Sequence, residues 1–156
     1  MTFSIRDAVA ADAAAACAVL RRSIVELCAV DHRRDAALLA RWLANKTPET
    51  VAAWIANPEM ALLLACTGDT VLAVGAVSTA GEILLNYVSP DAPFRGASKT
   101  MLRALEARAR DCGNRRCRLT STATAHAFYR AAGYERDGAP VEMFGMMGYP
   151  MMRDLA

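Results

Sequence analysis

Aromatic side chains are scarce in this chain, with four Phe, four Tyr and two Trp among 156 residues, and histidine occurs only twice. The five cysteines, Cys17, Cys28, Cys66, Cys112 and Cys117, are odd in number and never fall in C-x-x-C spacing, which suits neither a disulfide framework nor a zinc site. They read as small buried or half-buried thiols. An excess of one charge is missing as well: 18 Lys and Arg against 16 Asp and Glu leave a net charge of +2, and the basic residues are scattered. Electrostatics therefore gives no case for binding nucleic acid or an anionic membrane. No apolar run is long enough to cross a bilayer, and the N-terminus lacks a basic region followed by an apolar signal core, so a cytoplasmic protein is the expectation. Internal repeats and low-complexity linkers are lacking too; the Ala-rich tract at residues 10 to 18 carries Cys17 and leads into Leu20 at helical spacing.

What is present is apolar content, 54% of the residues, in a chain of one-domain length, enough for a sizeable core across residues 1–156. Phe3 to Arg6 alternates like a short strand. Ala13, Ala16, Cys17, Leu20, Ile24, Leu27 and Cys28 recur at helical spacing. Leu38, Leu39, Trp42 and Leu43 signal a second helix, and a third starts after Thr47-Pro48 and stops at Asn57-Pro58. Met60 to Cys66, the turn Gly68-Asp69 and Val71 to Ser78 predict a hairpin of two buried strands, followed by a strand over Glu82 to Val88. A helix with the stripe Leu102, Leu105, Ala109 and Cys112 closes at Gly113, and Arg116 to Thr120 is the next strand. Ser121 to Thr124 reads as a helix start, with the short helix ending near Gly133. The tail to Asp154 reads as two strands separated by a Gly- and Met-rich loop. This order predicts a mixed α/β layer with helices on both faces.

The stretch Val88 to Leu102 combines a strand end, a tight turn and a helix start. The first turn of a helix has N–H groups without intrahelical partners, and the helix dipole adds positive potential, so this junction suits a phosphate or pyrophosphate. Gly96 lets a ligand approach the backbone, and Ser98 is an N-cap candidate. A nucleotide P-loop is excluded, because Pro93 and Ser98 occupy its two glycine positions. A Gly-x-Gly-x-x-Gly dinucleotide fingerprint does not occur.

Val88-x-Pro90, then Gly96-x-Ser98-Lys99 leading into Met101-Leu102 and Ala104-Leu105-Glu106, resembles the acetyl-CoA loop of the GNAT superfamily of N-acyltransferases. Thr122-x-x-Ala125-x-x-Phe128-Tyr129-x-x-x-Gly133-Tyr134 is similar to that superfamily's Asn-x-x-Ala-x-x-Leu-Tyr-x-x-x-Gly-Phe helix, and Gly75 stands where the family commonly has a Gly in its third strand. The resemblance covers essentially the whole chain. It implies a mixed, mostly antiparallel sheet of six to seven strands with helices on both faces. Two departures stand out: Pro93 replaces the loop's Arg or Gln and Ser98 its final Gly or Ala. Pro93 offers neither an N–H nor a charge, so phosphate binding falls to Arg95 and Lys99 and to N–H groups around Phe94, Gly96, Ala97, Ser98 and Thr100.

The resemblance further implies a bulged fourth strand splayed from the fifth, with Asn86, Tyr87 and Val88 binding pantetheine and a backbone N–H there serving the oxyanion. Thr122, Ala125 and Phe128 join the cofactor-binding set, and Tyr129 matches the family's acid, its phenol directed at the thioester sulfur. Glu82 is the candidate base, directly or through water. Glu26, Asp31 and His32 fall where the family builds its acceptor pocket, and either bind a cationic acceptor or relay a proton. Trp42 and Trp54 read as core at helical spacing, and His126 as a helix-surface residue. The function implied is direct transfer from acetyl-CoA to a primary amine on a small molecule or peptide, without a metal or a protein nucleophile. A non-catalytic CoA-binding module and transfer to a hydroxyl are the alternatives. The family and the Met-rich tail point to a homodimer.

Overall fold

The structure is a computed structural model that describes residues 3–92 and 96–155. In chain order it contains β1 (Ser4–Asp7), a 3₁₀ turn (Ala10–Asp12), α1 (Ala13–Leu27), α2 (Ala29–His32), α3 (Ala36–Leu43), α4 (Pro48–Ala56), β2 (Met60–Thr67), β3 (Thr70–Ser78) and β4 (Ile83–Val88). There follow α5 (Gly96–Asp111), β5 (Arg116–Ser121), α6 (His126–Ala131), β6 (Glu135–Arg136), β7 (Val141–Met143) and β8 (Met146–Asp154).

Local chemistry sets the helix starts. Asp35 accepts hydrogen bonds from the N–H groups of Ala37 and Leu38 at the head of α3, and the Thr47 hydroxyl takes the Thr50 N–H ahead of Pro48, which opens α4. Strands β1 to β4 form an antiparallel sheet in sequence order. On one face Leu62, Leu64, Val74, Ala76 and Leu85 pack against α1 and α4 residues such as Ala16, Leu20 and Val51. On the other, Leu63, Ala65, Ala73 and Val77 pack against Met101, Leu102 and Leu105 of α5. Burial on both faces is why β2 and β3 read as unbroken apolar runs instead of alternating ones. Gly75 makes the close approach of α5 possible: a Cβ there would stand 2.6 Å from the Met101 sulfur.

A second antiparallel sheet has the order β5-β8-β6, with β7 paired to β8. Among the described residues, the two sheets meet at a single parallel bridge, Glu82 with Arg118, where the Arg118 N–H donates to the Gly81 carbonyl at 3.0 Å. The mixed, mostly antiparallel arrangement with helices on both faces matches the expectation, with eight strands among the described residues, divided between two four-stranded sheets, in place of one sheet of six to seven.

Four local expectations are corrected. Helix α5 begins at Gly96, so Ser98 sits in its first turn and is not the N-cap. The Met-rich stretch is not a loop but strand β8, whose Met151 pairs with Leu119 and is buried; the loop is the tight turn at Phe144 and Gly145. Of the Ser121 to Thr124 cluster, Ser121 ends β5 and the rest leads into a turn ahead of α6, where the Asp31 carboxylate takes the Thr124 N–H and the Thr122 hydroxyl takes that of Ala125. Cys112, placed on the apolar stripe, lies just past α5 and is exposed.

Candidate active site

Beyond the Glu82–Arg118 bridge, β4 and β5 separate. The β3–β4 register pairs Val77 with Ile83 and Ala76 with Leu85, which leaves Leu84 as an extra residue, a bulge that bends β4 away from β5. The gap is a chamber of about 190 Å³ bounded by Leu84 to Val88 on one side and Leu119 to Thr122 on the other, with Ala125 at the N-cap of α6, Tyr129 within α6, and Leu27, Cys28 and Trp42 also lining it. The Ser89 N–H donates back to the Leu72 carbonyl at 2.7 Å. By the alternation of an antiparallel ladder, the Tyr87 N–H also faces β3, and those of Asn86 and Val88 face the gap. The Asn86 side-chain oxygen is buried in the same region without a hydrogen-bond partner. A buried amide oxygen that lacks a donor among the described residues, beside strand N–H groups that face the gap, suits a ligand that carries amides of its own.

Tyr129 is buried in the wall of this chamber, edge-on to Phe128 and Tyr134. Burial pushes its phenol up to about 12, with a smaller downward pull from the Asn86 side chain, so it holds its proton at neutral pH. The Tyr87 hydroxyl accepts the Trp42 indole N–H at 3.3 Å, which fixes α3 to β4, and burial raises that phenol too. Cys28 also lines the chamber; burial pushes its thiol up to about 12, with a further upward contribution from Asp31.

At the head of α5 a second cleft, of about 250 Å³, is lined by Leu27, Val88, Ser89, Pro90, Ala92, Ser98 and Phe128. It shares Leu27 and Val88 with the chamber. Gly96, Lys99 and Thr100 are exposed and Ala97 is buried, and a Cβ added at Gly96 would meet nothing within 4 Å. Asp91, beside this mouth, is held by Arg22 at 2.7 and 3.1 Å, which offsets its charge and keeps its carboxyl below the usual range. Phe94 and Arg95, expected to bind phosphate, lie with Pro93 outside the described residues.

The structure thus brings together Asn86, Tyr87, Val88, Ser98, Thr122, Ala125, Phe128 and Tyr129. It places Glu82 elsewhere, exposed at the joined end of the two strands and not among the residues lining the chamber. Glu26 is exposed and paired with Arg22 at 3.0 Å. The Asp31 carboxylate is spent on the Thr124 N–H at 3.1 Å. His32 is 2% exposed, with Nε2 at 3.0 Å from the Ile24 carbonyl and Nδ1 accepting the Arg34 N–H, contacts that assign the proton to Nε2 and fasten the end of α1 to the turn after α2. His126 is half-buried and edge-on to Tyr149, with no partner for its Nε2.

Sequence reasoning missed a third cavity, of about 290 Å³, that shares Leu84, Leu85, Tyr87, Thr120 and Thr122 with the chamber. Lys46, Trp54, Met143 and Phe144 also line it. Lys46 precedes a Thr-Pro helix start and looks like a surface cation; no spacing signals its burial. Trp42, read as core, is buried as expected and also lines the chamber.

A family model for the acetyltransferase (GNAT) domain matches residues 28–155. No curated protein matches the chain in sequence. Among solved structures, the GCN5-related N-acetyltransferase from Rhodopseudomonas palustris has a TM-score of 0.86 at 23% identity, over 99% of this chain and 96% of that one. PaiA N-acetyltransferase from Thermoplasma acidophilum, in complex with coenzyme A, has 0.81 at 18% identity, over 99% of both chains. The yncA structure from Salmonella typhimurium, with its cofactor acetyl-CoA, has 0.72 at 16% identity, over 100% of this chain and 95% of that one. The splayed β4 and β5, the helix head beside them and the family match over most of the chain agree: this protein belongs to the GNAT acetyltransferase domain family.

Proposed function

We propose that the chain is an N-acetyltransferase that joins acetyl-CoA and a primary amine in one ternary complex and transfers the acetyl group directly. The observation that carries this reading is the gap between β4 and β5, with unpaired strand N–H groups on one side and a protonated Tyr129 on the other. The Asn86 side chain and the N–H groups of Asn86 and Val88 would hold the pantetheine amides, and the first turn of α5, Gly96 to Thr100, would hold the pyrophosphate. When bound, acetyl-CoA supplies a carbonyl activated by a thiol leaving group.

The chain's own groups do the rest. A β4 N–H aimed into the gap stabilises negative charge on an oxygen placed there. Tyr129 presents its proton to sulfur. A thiol has a reference value of about 8.5, well below a phenol raised by burial, so Tyr129 assists chiefly as a hydrogen-bond donor and its contribution is modest. Cys28 is the thiol in the chamber, and burial keeps it protonated, which favours direct attack over an acyl-enzyme. No carboxylate lines the chamber among the described residues, so the amine enters from its neutral fraction or gives its proton to water.

The test is release of free thiol from acetyl-CoA in the presence of a panel of primary amines and matched alcohols. Amine-dependent release with N-acetyl product supports the reading. Release that follows the alcohols indicates an O-acyltransferase, and binding of acetyl-CoA without turnover by any acceptor indicates a CoA-binding module.

A further inference from the structure

Lys46 is 3% exposed, yet among the described residues no carboxylate pairs with it. Its ammonium donates to the Asn45 side-chain oxygen at 2.8 Å and lies 4.7 Å from the centre of the Phe144 ring. Burial alone, with no opposing charge, lowers its pKa to about 8. A buried cation without a counter-ion is costly, and a neutral amide and a ring face offset only part of that cost.

The neighbouring backbone is committed to this arrangement. Phe144 has φ +54°, a left-handed conformation that a bulky residue rarely adopts, and it is followed by Gly145 at φ +84°. The turn is fastened by Glu142, whose Oε1 accepts the Gly145 N–H at 3.0 Å and Arg41 at 2.9 Å. The ring is thereby held over Lys46 and stacked on Trp42 at 6.4 Å. Among the described residues, no acidic side chain lines the cavity.

We propose that Lys46 is the anion-recognition group of the acceptor pocket, and that the acceptor is a small amine carrying a carboxylate, of amino-acid size. The proposal rests on the acyltransferase reading. A volume of about 290 Å³ is at the lower end for ligand sites, which suits a free small molecule better than a length of peptide. The carboxylate completes the charge on Lys46, Trp54 and Met143 supply apolar walls, and the shared edge at Leu84 and Thr120 directs the amine towards the gap between β4 and β5.

The experiment compares the standard L-amino acids, β-alanine and γ-aminobutyrate with their carboxamides, in the wild type, Lys46→Gln and Lys46→Arg, each first checked for native circular dichroism. Two signals are read: N-acetyl product formed, and tryptophan emission, which Trp54 makes sensitive to filling of the cavity. The expected result is an acid preferred over its amide by about tenfold or more in kcat/KM, a preference lost in Lys46→Gln and retained in Lys46→Arg. Equal or better use of amides by the wild type, or equal losses for both in Lys46→Gln, overturns the anion site and leaves the acyltransferase reading standing. Acids that change the emission of the wild type and not of Lys46→Gln, with no transfer to any amine, overturn the acyltransferase reading and not the anion site. No emission change and no transfer with any compound overturns both.

Discussion

Tyr134 donates its phenolic proton to Oε2 of Glu106 at 2.7 Å, in a place where the tyrosine is 1% and the glutamate 0% exposed. Oε1 of the same carboxylate accepts Arg153 at 2.7 Å and Arg103 at 2.9 Å, which ties α5 to β8. The Tyr134 N–H also donates to the Tyr129 carbonyl at 3.0 Å, so this buried network fixes the residue that faces the chamber. Tyr134→Phe leaves a buried carboxylate oxygen without its donor and should cost about 1 to 3 kcal/mol. Glu106→Gln, which weakens the charged hydrogen bonds to the partly exposed Arg103 and Arg153, should cost about 1.5 to 3 kcal/mol. Urea denaturation followed by circular dichroism measures both, and unchanged midpoints would contradict the account.

Tyr129→Phe keeps the ring and its edge contacts with Phe128 and Tyr134 while removing the protonated hydroxyl. Turnover should fall by about tenfold to a hundredfold, at or below the low end for a positioned proton donor because the thiol leaves readily, with acetyl-CoA affinity nearly unchanged. Steady-state kinetics beside a direct binding titration separates the two effects. A rate equal to that of the wild type removes Tyr129 from the mechanism.

Lys46 gives a pH signature of opposite sign to that of a paired lysine. Its folded pKa, about 8, lies below the ordinary 10.5, so between those values the unfolded chain holds more protons and stability rises with pH. Below pH 8 both states are charged and burial of the ammonium is fully unfavourable; above 10.5 the cost is gone. Lys46→Met should therefore be more stable than the wild type at pH 7, by up to about 3 kcal/mol, with the difference shrinking as pH rises from 8 to 10.5. Thermal melts of both proteins over that range measure it, and a gap that widens with pH would contradict the assignment.

Much of this arrangement was legible in the residues themselves. Thr47-Pro48 and Gly68-Asp69 marked boundaries through backbone chemistry that acts locally, and the structure keeps both. A bulge in the fourth strand was implied by the resemblance, but its place at Leu84 was hidden, because Ile83, Leu84 and Leu85 are all apolar and a slipped period leaves no trace in such a run. A strand running to Asp154 was expected, but its start at Met146 was hidden by composition, since its methionines and glycine lack the β-branched signature of a strand. The cavity beside Lys46 was hidden for a different reason. Lys46 and Phe144 are far apart in sequence, and their meeting depends on how the β7–β8 turn folds over α3.

Gly96→Glu places a carboxylate where the account puts pyrophosphate. The position is exposed with open space around it, and an acidic residue in the first turn suits the helix dipole, so the fold should be unaffected. Acetyl-CoA affinity should fall by about a hundredfold through repulsion of phosphate. Equal affinity in the variant would move the phosphate site away from the head of α5.

The most direct test of the central claim is a calorimetric titration of the wild-type protein with acetyl-CoA. The account predicts saturable binding of one acetyl-CoA per chain in the micromolar range. Absence of binding up to millimolar concentrations would contradict it, because the gap between β4 and β5 would then not be a donor site.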